Sequence, residues 1–146
     1  MTTKPTAPQY RNVQTPCIGI CSTVYGDDIC RGCKRTYQEV IDWNAYTPIQ
    51  KAEVLSRIDV SVSKVCAEYF TVDNLERLKQ ALVLHHIDFN EDASGPVLAC
   101  LLLGMAADEI KSAASVGLSI HATYQQVSLR ELINDLDGAI YSSLCD

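Results

Sequence analysis

The sequence predicts a mostly α-helical protein in which a small four-cysteine metal-binding N-terminal module precedes a helical bundle. Three observations carry this expectation. Capping boxes recur at Thr36–Glu39, Thr47–Gln50 and Ser128–Glu131, each able to satisfy reciprocally the free amides of a helix start. Beyond residue 70, leucine and isoleucine return at helical spacing. Four cysteines gather in the one stretch that lacks helix signals. With 146 residues, 47% of them hydrophobic, the chain can build a core, and disorder over its whole length is excluded.

Residues 1–14 are polar, with Pro5 and Pro8, and read as a flexible lead-in without an apolar run of signal-peptide length; no secretory address is expected. Residues 15–58 form the expected four-cysteine module. Within it, Gly19, Gly26, Asp27, Asp28 and Gly32 are turn formers, so something other than a core must order Cys17 to Cys33. Thr36 then opens a helix over about 37–46. Thr47, followed by Pro48 at the favoured first position, opens another from 48 onward. Between Asp59 and Val65, β-branched and serine residues weaken helical propensity, although Ile58, Val62, Val65 and Tyr69 keep a helical spacing, and the module boundary is placed there.

Residues 70–146 form the expected α-helical domain. Leu75, Leu78 and Leu82 mark a helix from near Asp73 to His85 and His86, and Asn90 to Gly95 is a polar loop. Pro96 opens an apolar helix ending near Gly104. An alanine-rich helix over 107–116 is stopped by Gly117, and Ser128 introduces a last helix with Leu132, Ile133, Leu136, Ile140 and Leu144 on one stripe.

The motif that carries chemistry is Cys17, Cys21, Cys30 and Cys33: C-x3-C, eight residues, C-x2-C. Two close thiol pairs on either side of a short loop bring four soft donors to one point, as tetrahedral zinc or an iron–sulfur cluster requires. Either centre leaves buried negative charge, which Arg31, Lys34 and Arg35 beside the ligands can offset, or these cations can touch an acidic partner. Trp43, with Tyr37, is expected to pack the first helix onto this loop. A redox dithiol at Cys30 and Cys33 is the weaker reading, because the next helix starts beyond both thiols and no strand precedes them. Cys66, Cys100 and Cys145 read as inert helix residues.

The runs Pro16-Cys17-Ile18-Gly19-Ile20-Cys21, Cys30-Arg31-Gly32-Cys33-Lys34-Arg35-Thr36 and Glu39-Val40-Ile41-Asp42-Trp43 closely resemble the bacterial domain-of-unknown-function family 1289. Its members are small proteins described as predicted iron–sulfur proteins. The resemblance covers about residues 15–58 and implies that the four cysteines are the shared core of the site. It raises the cluster to parity with zinc and brings no established reaction.

The net charge of −6 disfavours coating of nucleic acid or anionic membrane by bulk positive charge. Residues 1–35 nevertheless balance at +3, against −9 for the remainder. The longest apolar stretch, Val97 to Ala107, is eleven residues, too short to span a bilayer. Seven cysteines, an odd number, suit reduced thiols or metal ligation in the cytoplasm better than a disulfide framework. No phosphate loop, nucleophile elbow or His-carboxylate helix motif assigns a reaction. The expected function is therefore a metal-binding adapter or regulator, without catalysis, that meets a protein partner through its C-terminal helices. An iron–sulfur electron-transfer or redox-sensing protein and a nucleic-acid-binding zinc knuckle using Arg11, Arg31, Lys34 and Arg35 are the alternatives.

Overall fold

The computed structural model describes Thr23, residues 26–30 and residues 33–145. The expected lead-in 1–14 lies outside them. Thr36 caps α1 (Tyr37–Asp42): its hydroxyl accepts from the Glu39 amide at 3.1 Å while the Glu39 carboxylate accepts from the Thr36 amide at 2.9 Å. A 3-10 turn, Trp43–Ala45, completes the helical stretch expected over 37–46. Thr47 and Gln50 repeat the reciprocal cap for α2 (Pro48–Cys66), where Pro48 falls in the first turn and sacrifices no intrahelical amide.

The weak-helix stretch at Asp59–Val65, with the boundary placed on it, is helical throughout. Val54, Ile58, Val62 and Cys66 are buried along α2, and their burial outweighs the few tenths of a kcal/mol (about 0.5) that each β-branched or serine residue costs. The polar residues there serve the tertiary structure instead. Asp59 accepts from the Ser94 amide at 3.2 Å and from the Ser63 hydroxyl at 3.2 Å, and the Ser63 and Ser94 hydroxyls lie 3.3 Å apart. One buried cluster runs from Trp43 and Val54 through to Leu136 and Ile140, across the placed boundary.

After α2 the chain forms β1 (Phe70–Val72), which pairs antiparallel with β2 (Leu118–Ile120), Phe70 opposite Ile120 and Val72 opposite Leu118. Three-residue strands are too short to show alternation, so the sequence carries no sign of them. Asn74 caps α3 (Leu75–Leu84) by accepting from the Arg77 amide at 3.0 Å. The apolar α4 (Gly95–Ala106) follows, burying Leu98, Ala99, Leu102, Leu103 and Ala106.

The alanine-rich segment corrects an expectation. Residues 107–116 are not one helix but two 3-10 turns, Ala107–Glu109 and Ala114–Val116. Ser112 binds the backbone locally, its hydroxyl accepting from the Ser115 amide at 3.3 Å and its carbonyl from the Ser115 hydroxyl at 2.6 Å, which competes with helix hydrogen bonding. Gly117 ends the second turn at φ 81°, the left-handed region, as expected. Its carbonyl accepts from the Asp73 and Asn74 amides at 2.8 and 3.1 Å, anchoring the start of α3.

The last helix, α5 (Leu129–Cys145), begins at the Ser128–Glu131 capping box, both of whose bonds measure 3.1 Å. It buries Leu132, Ile133, Leu136 and Ile140 and packs against α2 and α4. The Tyr69 hydroxyl reaches across to donate to Asp135 at 2.9 Å while its ring stacks on Tyr124 at 4.4 Å. Among the described residues no helix is long and apolar enough to cross a membrane. Mostly α-helical architecture is thus what the capped, amphipathic segments produce.

Candidate metal centre

A short hairpin positions Cys30 and Cys33. Ile29 and Thr36 form an antiparallel bridge; the Cys30 amide donates to the Arg35 carbonyl and the Lys34 amide donates back to the Cys30 carbonyl, each at 2.8 Å. Lys34 takes the left-handed conformation, φ 70°, that closes so tight a turn. The Tyr37 amide donates to the Asp28 carbonyl at 2.8 Å, seating the hairpin on the first turn of α1. Both thiols point inward: Cys30 is 0% and Cys33 7% exposed, and neither is in a disulfide.

Arg35 is buried against the second of them. Its Nε donates to Cys33 Sγ at 3.2 Å, and its guanidinium carbon lies 4.8 Å from the centroid of the buried Trp43 ring, a cation–π contact. Lys51 Nζ approaches the same ring at 5.7 Å. Burial pushes the Cys33 thiol up; hydrogen bonds and charge from Arg35 oppose this, while neighbouring Cys30 adds to it. Lys34 turns the other way, its Nζ 3.6 Å from Asp137 on α5, so the hairpin is tied to the bundle by an ion pair.

Trp43 is buried with Arg35 and Lys51 over its ring, whereas Tyr37 is exposed. At the first position of α1 Tyr37 is 52% exposed, and it holds the hairpin through its backbone amide. Cys17, Cys21, Arg31 and Arg11 lie outside the described residues. Among the described residues no three or more His, Cys, Asp or Glu side chains gather as ligands. His85 Nδ1 pairs with Glu109 at 3.2 Å and Glu91 with Lys79 at 3.3 Å.

Two features escaped sequence reasoning. Glu39, half of a capping box, also takes a bidentate pair from Arg57 of α2, at 2.5 and 2.8 Å, fastening α1 to α2. Burial pushes its carboxyl up, but the Arg57 guanidinium and the bonds from Thr36 outweigh this and hold it below the usual carboxylate range. The second is Cys66 and Cys100, whose sulfurs lie 3.2 Å apart between α2 and α4. Contacts eighteen and thirty-four residues apart leave no periodic trace.

The described hairpin residues thus present two buried thiols, one of them bonded to a buried guanidinium. Residues 15–61 match the model of a family described as Protein of unknown function (DUF1289). The matched segment holds all four cysteines of the motif together with Arg35, Glu39, Trp43 and Arg57. No curated protein and no solved structure matches the chain.

Proposed function

We propose that residues 15–58 are a four-thiolate metal module, held by Cys17, Cys21, Cys30 and Cys33, and that the chain acts without catalysis as an adapter or regulator through its helices. The observation that supports this most is the hairpin itself, which brings Cys30 and Cys33 together, buried and reduced, with Arg35 Nε aimed at Cys33 Sγ. An N–H donor on sulfur favours the thiolate that a metal ligand must be, and a buried cation offsets the charge that four thiolates bring. Zinc would supply a structural cross-link there, and an iron–sulfur cluster one-electron redox chemistry.

Exposed Val83 and Leu84 at the end of α3 and Met105 at the end of α4 support the adapter reading. The His85–Glu109 pair draws these two helix ends together, giving an apolar edge for a protein partner. A cytoplasmic location belongs to the same proposal, since reduced thiols persist there.

Metal and sulfide analysis with an absorption spectrum, on protein purified without oxygen beside Cys30→Ser, tests the module. One zinc per chain without colour selects the structural site; iron, sulfide and a visible band bleached by dithionite select the redox alternative. In either case Cys30→Ser should lose the metal. Metal-free wild-type protein, or a variant that retains its metal, refutes the assignment.

A further inference from the structure

Cys66 and Cys100 stand outside the hairpin, on helices separated by β1, α3 and a loop. Their sulfurs are nevertheless 3.2 Å apart, within hydrogen-bond reach for thiols. The contact is held in place from one side. Asp59 and Ser63, two turns and one turn before Cys66, bond to Ser94 at the start of α4, and Cys100 lies six residues further along that helix. From Asp59 to Cys66 and from Ser94 to Cys100 the two helices run past each other in the same sense, so polar rungs fix the register in which sulfur meets sulfur. A pair of thiols kept in register by neighbouring bonds differs from two small apolar residues that merely fill space.

Access and charge are both asymmetric. Cys66 is completely buried whereas Cys100 is half-buried, so Cys100 is the more open side of the pair. Lys34 and Asp137, themselves an ion pair, lie within electrostatic range of Cys100, the lysine favouring its thiolate and the aspartate opposing it. The hydrogen bond from Cys66 and burial push the Cys100 thiol up more strongly. A raised Cys100 thiol answers sustained oxidant rather than a trace of it.

We propose that Cys66 and Cys100 form a reversible dithiol–disulfide site, with Cys100 the sulfur that meets a hydroperoxide and Cys66 the sulfur that resolves it. Cys100 Sγ gives up its proton and attacks the terminal peroxide oxygen. The O–O bond breaks, and the oxygen carrying the organic group, or hydrogen in the case of hydrogen peroxide, leaves as alcohol or water on taking up a proton. Cys66 Sγ then attacks the sulfenic sulfur of Cys100. The S–O bond breaks, an S–S bond forms, and water departs with the Cys66 proton. Two thiols are oxidised by two electrons, one peroxide is reduced, and a small-molecule dithiol reverses the change by exchange. The product clamps α2 to α4, independently of what the four-cysteine segment holds.

The test uses the full-length chain, reduced, treated with hydrogen peroxide, unfolded and alkylated with N-ethylmaleimide. Trypsin separates the two cysteines at Arg77 and Lys79, and Cys145 falls on a third peptide. The expected product joins the Cys66 and Cys100 peptides with a mass two hydrogens below their sum, and dithiothreitol removes it. Cys145→Ser should leave the cross-link in place. Oxidation of Cys145 while Cys66 and Cys100 are both recovered alkylated overturns the proposal. So does Cys100 recovered as sulfinic acid beside alkylated Cys66, and so does either one joined to a different cysteine.

Discussion

Arg57 and Gly117 show how single residues far from the cysteines set the geometry around them. Arg57 binds the Glu39 carboxylate with two nitrogens, and that carboxylate also caps α1, so one side chain orders the helix on which the hairpin rests. Arg57→Ala should destabilise the protein by about 1–2 kcal/mol in urea unfolding, within the range for partly buried charged hydrogen bonds. The effect has a sign in pH. Because the folded-state pKa of Glu39 is lowered, its contribution is complete above the unfolded carboxyl value of about 4.3 and is lost as pH falls through the folded value. The gap between wild type and Arg57→Ala should therefore close on acidification below about pH 4, and parallel pH profiles for the two proteins would refute the coupling. At Gly117, φ is 81° and an added Cβ would sit 2.3 Å from the Asn74 carbonyl oxygen. Gly117→Ala should cost about 2 kcal/mol or more, since strain in the left-handed region adds to a backbone clash. Gly104→Ala has the opposite expectation, because a Cβ there meets nothing within 4 Å and the position is inside α4; thermal unfolding should show it neutral or more stable by up to about 1 kcal/mol.

At the scale of elements, what was legible in the sequence was what is local. Thr36, Thr47 and Ser128 announce their helices because a capping box lies within four residues, and all three boxes form. Asp59 and Ser63 are the complementary case. Their cost to α2 is local, whereas their bonds to Ser94 lie thirty-five and thirty-one residues away in the chain. The alanine-rich segment 107–116 has helical propensity but little to bury, and Ser112 turns it into separate turns that lead into β2. Propensity without a buried face does not hold a helix in water. The stripe on α5 is the reverse case, with Leu132, Ile133, Leu136 and Ile140 all essentially inaccessible. Leu136→Ala should lower unfolding free energy by about 2–5 kcal/mol, as large-to-small changes in a packed core do. Val83→Ala, on the exposed side of α3, should stay within about 0.5 kcal/mol. A cost at Val83 comparable with that at Leu136 would show that the apolar edge at the end of α3 is covered rather than open.

Over the whole molecule, the candidate site was visible as spacing and invisible as support. Cysteine spacing is written in order along the chain, so Cys30 and Cys33 could be paired by reading, but nothing in order reveals that Arg35 would lie over Trp43 or that Lys34 would reach Asp137. These contacts join the hairpin to a bundle with its own core, made of α2 to α5, which span 19, 10, 12 and 17 residues against six in α1. Removal of metal from the proposed module should therefore cost little helix. Trp43 is the sole tryptophan, and it rests on the guanidinium that bonds to Cys33 Sγ, so its fluorescence reports the hairpin while far-UV circular dichroism reports the bundle. A chelator should shift the tryptophan emission to the red as Arg35 and the ring become wetter, while most of the helical signal stays. Loss of the two signals together would mean that the metal sustains the bundle as well. Emission unchanged while the metal is stripped would place the ion away from Cys33, and the four-thiolate assignment would fail with it.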